Sequence, residues 1–301
     1  MNLPPWDEVV AAVTQVALPA LGTALAIFLV GRWNRWTAPW AAILALTLGF
    51  LVGNHARQGW TFVVGPDELS TQNLYKGLYA TVLPGEGDNA LRPPPARTWL
   101  PWMVVVALVV GQLARLLPHR FAWRLRDLVA LSAGFLIGRT PWGIVGMTVL
   151  IVALWEVLDQ VAEHPGILVP GCLSLTFGTA AVVLLHAHSA SLADCATALS
   201  AALGGIALAC LVRGDARGCY PGVAVALPGL LWVGQQSTTS EVPAVAFAAV
   251  AIAPLLLSLG QIPWLVRRPG WQRWGVACGA GGLFLALAVG LSMAYESLPE
   301  G

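Results

Sequence analysis

The chain has 301 residues, 57% of them hydrophobic and 10% charged, with a formal net charge of +1. Soluble domains carry about 25% charged residues, so this chain has too few to coat a water-facing globule, and a soluble fold is excluded. The near-zero charge, with basic residues in short clusters between apolar runs, also argues against a nucleic-acid partner.

Apolar stretches follow one another from Val9 to Tyr295, and about 20 such residues span the roughly 30 Å hydrocarbon layer as a helix. The expected fold is therefore all-α: a polytopic transmembrane helix bundle of about ten spans (8–10), forming a single transmembrane domain over residues 1–301. Lys76 is the only lysine among 16 basic residues, and Ala, Gly and Leu abound, which resembles GC-rich bacterial coding. The expected location is a bacterial inner membrane. The first residues lack the positive n-region and small-residue cleavage site of a signal peptide, so the first helix is expected to stay as an anchor.

In chain order the spans are expected at 9–31, 39–54, 99–117, 125–139, 141–160, 167–187, 190–212, 221–235, 243–264 and 272–295. Trp33, Trp36, Trp40, Trp99, Trp102, Trp123, Trp142, Trp264, Trp271 and Trp274 fall near span ends, where an indole keeps its N–H wet in the headgroup region. The fourth, fifth and eighth runs are the weakest; the fourth and eighth have 15 residues, which reach only about 22 Å, and a re-entrant piece is an alternative there.

Arginine orients the bundle, because short Arg-rich loops stay in the cytoplasm. Arg32 and Arg35 follow the first span, Arg120, Arg124 and Arg126 the third, Arg213 and Arg217 the seventh, and Arg267, Arg268 and Arg273 the ninth. One alternation makes all of them cytoplasmic, in contact with anionic lipid, and places both termini in the periplasm.

The extramembrane loop 55–98 between the second and third spans is then periplasmic. Pro66-Asp67-Glu68 is a helix-start signal, and Leu69, Leu74, Leu78 and Val82 suggest a short amphipathic helix. Forty-odd residues are too few for a second hydrophobic core, so this loop is expected to be a lid or a docking surface for a membrane-protein partner.

Two local matches hint at duplication. Leu21-Gly22-Thr23-Ala24 resembles Phe177-Gly178-Thr179-Ala180, with Ala42, Ala45, Gly49 and Arg57 falling on Ala198, Ala201, Gly205 and Arg213 at the same offset. Gly111-Gln112 also resembles Gly260-Gln261, but on the orientation above the first match is inverted and the second parallel, which a single duplication cannot produce.

Charged groups near a bilayer span are functional candidates. Glu156, Asp159 and Glu163 stand at i, i+3 and i+7 on one face of the fifth span, with His164 following: either a proton or cation entry, or an acidic helix end pairing with Arg115, Arg120, Arg124 and Arg126. His186, His188 and Asp194 lie around the turn after the sixth span and are weak candidates for a divalent metal, an i, i+2 pair being no fixed-geometry motif. Arg139 either snorkels to headgroups or contacts an anion, and Pro141 is expected at the first position of the fifth helix.

Pro170-Gly171, Pro228-Gly229 and Pro254 are candidate helix breaks; a transport path is placed beside Pro228, Pro254, Ser258 and Gln261. The five cysteines are scattered without a C-x-x-C pair, so neither a disulfide framework nor a zinc site is expected. Nothing implies a cofactor or a catalytic set. The readings that remain are a permease or exporter for a small solute, a non-catalytic subunit of a membrane complex, and, third, an intramembrane enzyme.

Overall fold

The computed structural model describes residues 10–33, 40–58, 96–138, 140–162, 166–212, 215–237 and 242–296, and these are helical with short connections. A wide π-helical turn, Ala12–Ala17, leads into α1 (Leu18–Trp33). There follow α2 (Ala41–Gln58), α3 (Ala96–Leu116), α4 (His119–Gly138) and α5 (Pro141–Val161). Next come α6 (Leu168–His186), α7 (Ala190–Val212) and α8 (Tyr220–Ser237). The described residues end with α9 (Ala244–Ile252), a 3-10 segment (Ala253–Gln261), the short α10 (Pro263–Val266) and α11 (Gly270–Glu296).

Six helices among the described residues are long and apolar enough to cross a membrane: Ala12–Trp33, Pro141–Val161, Leu168–His186, Ala190–Val212, Ala244–Gln261 and Gly270–Tyr295. Shorter apolar stretches lie within α2 and α3, at Ala41–His55 and Met103–Leu116. This is a multi-pass membrane protein on length and composition.

Two groups of helices make up the bundle. One packs α1, α2, α6 and α7 together, the other α3, α4, α5 and α8, and the unit formed by α9, the 3-10 segment and α11 bears on α6 on one side and α5 on the other. α8 is the innermost helix, with every residue from Gly218 to Leu231 buried, which is why its sequence is apolar all round.

Lipid tails are as apolar as leucine, so helices here associate through close packing rather than water exclusion. α1, α2 and α7 meet on small residues. A Cβ built on Gly49 would stand 2.9 Å from the Ala20 carbonyl oxygen and 3.1 Å from the Ala202 methyl, and one on Gly205 would stand 2.6 Å from the Leu21 carbonyl oxygen. Larger side chains fill the core around them, with Phe28, Phe177, Leu173, Leu184 and Leu203 all fully enclosed.

The helix ends follow local chemistry. Thr140 caps α5 by accepting the Gly143 N–H at 3.0 Å, and Pro141 takes the first helical position, as the sequence suggests. The fourth helix departs from the expected 125–139: α4 starts at His119 and has 20 residues, about 30 Å. Arg120, Arg124 and Arg126 lower its hydropathy without ending the helix, because an arginine stem lies along apolar surface while its head reaches polar partners.

Two of the candidate breaks are not breaks. Pro170 lies in the first turn of α6, where a missing N–H costs no helical bond, and α8 runs unbroken through Pro228. Pro254 does mark a change, from α-helix to the 3-10 segment. The loop helix expected from 66 onward, with residues 59–95 generally, lies outside the described residues.

Candidate functional site

The charged residues of α3, α4 and α5 converge at one end of the bundle. Arg126 is 7% exposed, and its Nη1 donates to Glu156 Oε2. Its Nε lies 3.6 Å from Asp127 Oδ1, and its guanidinium carbon sits 4.3 Å from the centroid of the Trp123 ring. The other Glu156 oxygen accepts from Gln160 Nε2 at 2.9 Å. One turn on, Asp159 Oδ1 lies 3.7 Å from Arg115 Nη2 and takes a hydrogen bond from the Trp155 side chain.

The connection between α7 and α8 joins the same end. Arg217 Nε donates to the Ala162 carbonyl at 3.2 Å, satisfying a carbonyl that the end of α5 leaves open, and lies 3.4 Å from Asp215 Oδ2. Asp215 Oδ1 in turn accepts the Arg217 backbone N–H at 2.8 Å. Beside it, the fully buried Cys219 thiol donates to the Ala216 carbonyl at 2.9 Å, and burial holds it well above the ordinary thiol range.

Glu156 and Asp159 thus meet arginines from two neighbouring helices, while their side chains keep 39% and 43% exposure. Chemically this end is a lattice of ion pairs with two carboxylates still reaching the surface. Glu163 and His164, named with them from sequence, lie outside the described residues, as does Arg139, the separate anion-contact candidate.

A different arrangement occupies the ends of α6 and α2 and the start of α7. His186 and Asp194 are buried, and the Cys195 thiol faces Asn54 Oδ1 at 3.6 Å. His188 stands at φ 55°, in the left-handed region. Its N–H donates to the Leu185 carbonyl and the Ser189 N–H to the Leu184 carbonyl, both at 3.0 Å, a Schellman turn with histidine where glycine is usual. The Ser189 carbonyl then accepts from Leu192 and Ala193 to start α7. No group of three or more His, Cys, Asp and Glu among the described residues stands close enough to hold a metal, so His186, His188 and Asp194 are not gathered as ligands.

The third feature is the nine-residue 3-10 segment that begins with Ala253 and Pro254. Such helices rarely exceed 3–4 residues, and a long one marks strain or a hinge. It packs against α5 and α11. Ser258 Oγ donates back to the Leu255 carbonyl at 2.6 Å, and Gln261 is half-buried at the segment's end. Arg273 from α11 donates through Nε to the Gly260 carbonyl, with its guanidinium carbon 5.0 Å from the Trp274 ring centroid. A Cβ built on Gly260 would stand 3.0 Å from that ring, so glycine permits this close approach. Of the four candidate path residues, Pro254, Ser258 and Gln261 share this element, and Pro228 lies apart in α8.

Reading the sequence for charge missed two buried amides. Asn54 is 1% and Gln112 5% exposed; Asn54 Nδ2 and Gln112 Oε1 have no hydrogen-bond partner among the described residues. The available signal was an amide inside an apolar run. No protein-family model matches the chain, and no curated protein does.

Proposed function

We propose that the chain is a ten-span bacterial inner-membrane protein that acts as a permease or exporter for a small solute. α2, α3, α4 and α8 join the six long apolar helices as spans: at 18–21 residues each they reach about 27–31 Å, enough for the hydrocarbon layer. With the arginine-bearing ends cytoplasmic, both termini and the 55–98 loop face the periplasm, and the basic residues contact anionic lipid.

The observation that carries the transport reading is the 3-10 segment Ala253–Gln261. Broken or overwound backbone at membrane depth lines cavities in transporters, and a segment in a strained helical form is a natural hinge. In this reading Pro254, Ser258 and Gln261 border the path, and Pro228, apart from them in α8, is the fourth position assigned to it. Glu156 and Asp159, with Glu163, are the cation or proton entry, and Arg139 is an anion contact at the opposite surface.

A non-catalytic subunit of a membrane complex is the second reading, supported by the way two of the candidate path residues are taken up within their own helices. Ser258 bonds its own helix and Pro228 is buried in an unbroken one. The 55–98 loop would then dock the partner.

Single cysteines placed at 254, 258 and 261, in a chain lacking the native five, decide between these. Labelling of these positions in intact membranes by an impermeant maleimide supports a water-filled path, and uniform protection overturns the transport reading.

A further inference from the structure

We infer that Cys172 on α6 and Cys278 on α11 form a redox modification site, at which peroxide converts two facing thiols into a reversible disulfide between the helices. Their Sγ atoms stand 3.4 Å apart, across 106 residues of chain. The other cysteines are placed differently: Cys195 is buried facing Asn54, Cys219 is buried against a backbone carbonyl, and Cys210 lies on α7. All five are free thiols, and Cys172 and Cys278 are only half-buried.

Closure is geometrically modest. A disulfide needs its sulfurs about 2.05 Å apart, so the pair must approach by roughly 1.3 Å, a movement that rotation about two Cα–Cβ bonds largely supplies. A Cβ built on Gly171, Gly275 or Gly279, next to Cys172 or flanking Cys278, would meet nothing within 4 Å, so these glycine positions are themselves open. Cys172 is the fifth residue of α6, about 6 Å along the axis from the helix start, where a small polar oxidant arrives from the aqueous side.

The chemistry balances with hydrogen peroxide as the oxidant. One thiolate attacks a peroxide oxygen, the O–O bond breaks, and a sulfenic acid forms while the departing hydroxide takes up the proton that the thiol released. The second thiol attacks the sulfenic sulfur, the S–S bond forms, and the sulfenic oxygen leaves as water with the remaining proton. Two thiols and one peroxide become one disulfide and two waters. The bond would fix α6 to α11, the helix that carries Arg273 and bears on the 3-10 segment. None of this depends on the transport reading, since it rests on the thiol pair alone.

The test treats the full chain, reconstituted in lipid vesicles, with hydrogen peroxide, then denatures it, alkylates the remaining thiols and maps the peptides by mass. The expected result is a linked peptide pair containing Cys172 and Cys278, two fewer alkylated thiols, and full recovery after dithiothreitol. C172S and C278S each abolish the link, whereas C195A/C210A/C219A keeps it. Oxidation of either cysteine to sulfinic acid without linkage, or a link to Cys195, Cys210 or Cys219 instead, overturns the proposal. Should the triple variant fail to fold, the map of the unaltered chain decides, because it names the joined residues.

Discussion

Ser174 and Ser200 each donate a hydroxyl to the other's backbone carbonyl, both at 2.7 Å, and so join α6 to α7 by two reciprocal hydrogen bonds. One turn away on each helix a glycine makes room: a Cβ on Gly178 would stand 3.3 Å from Ser200 Oγ, and one on Gly204 the same distance from Ser174 Oγ. Ser-x-x-x-Gly therefore occurs on both helices, and each serine packs on the other helix's glycine. Membrane hydrogen bonds between helices are worth about 0.6 kcal/mol on average and up to about 1.7. Ser174→Ala and Ser200→Ala should each destabilise by about that amount, and because the two serines contact one another the double variant should depart from the sum, by about 0.5 kcal/mol or more. Unfolding of the purified protein in mixed micelles, as denaturing detergent replaces mild detergent, measures this.

Arg126 is the most buried charge among the described residues, and its partner Glu156 is its main compensation. Removing the carboxylate leaves the guanidinium to the more exposed Asp127, the Trp123 face and the more distant charge of Asp159. A charge-assisted hydrogen bond contributes about 1.5–3 kcal/mol, and the partial exposure of Glu156 places the expected loss for Glu156→Gln at the lower end of that range. Asp159→Asn should cost less, because its partner Arg115 is 3.7 Å away and both are partly exposed. A double-mutant cycle on Arg126 and Glu156 should give a coupling near that loss. A cycle on Arg115 and Asp159 should give less than about 1 kcal/mol.

His188 holds a backbone conformation that glycine adopts without strain. For an L-residue the left-handed region costs roughly 1–2 kcal/mol, somewhat offset by the greater freedom of glycine in the unfolded chain. His188→Gly should therefore keep the Schellman turn and raise the thermal midpoint in detergent, while the β-branched His188→Val should lower it. A lower midpoint for the glycine variant would mean that the imidazole itself makes stabilising contacts.

Much of this architecture is legible in the sequence. Apolar length and the tryptophans at run ends locate every long helix to within a few residues, except the start of α4. That start was hidden because hydropathy counts Arg120 and Arg124 as a polar stop, whereas the helix runs on through both. The pairing of Glu156 and Asp159 with arginines is anticipated by their spacing on one helical face, but which arginine meets which carboxylate depends on how α3 and α4 lie against α5. Pro254 is visible as a break, yet a proline alone does not distinguish the unbroken α-helix of α8 from the 3-10 winding after α9; the neighbours differ, with the Trp274 ring against Gly260 and the Arg273 bond to its carbonyl at the second. The Cys172 and Cys278 pair was invisible, because contact across 106 residues is a property of helix packing and not of spacing.

Glycine substitutions test whether close helix packing carries the stability. In a helix, Gly→Ala is intrinsically favourable by about 1 kcal/mol, so the sign of each substitution depends on what the new methyl meets. At Gly111 it would overlap the Pro221 ring and press on Trp155, 3.3 Å away, and a proline ring cannot swing aside. At Gly205 it would stand 2.6 Å from the Leu21 carbonyl oxygen, so α1 and α7 would have to separate. Overpacking of this kind costs about 1–3 kcal/mol, which outweighs the propensity gain; Gly111→Ala and Gly205→Ala should therefore be net destabilising. At Gly146, Gly279 and Gly282 the methyl meets nothing within 4 Å, so alanine should be neutral or stabilising by up to about 1 kcal/mol. Thermal midpoints of the five variants in one detergent give the comparison. A uniform response would show that α3–α8 and α1–α7 are not in the close contact that these glycines permit, whereas a split by position ties stability to those two interfaces.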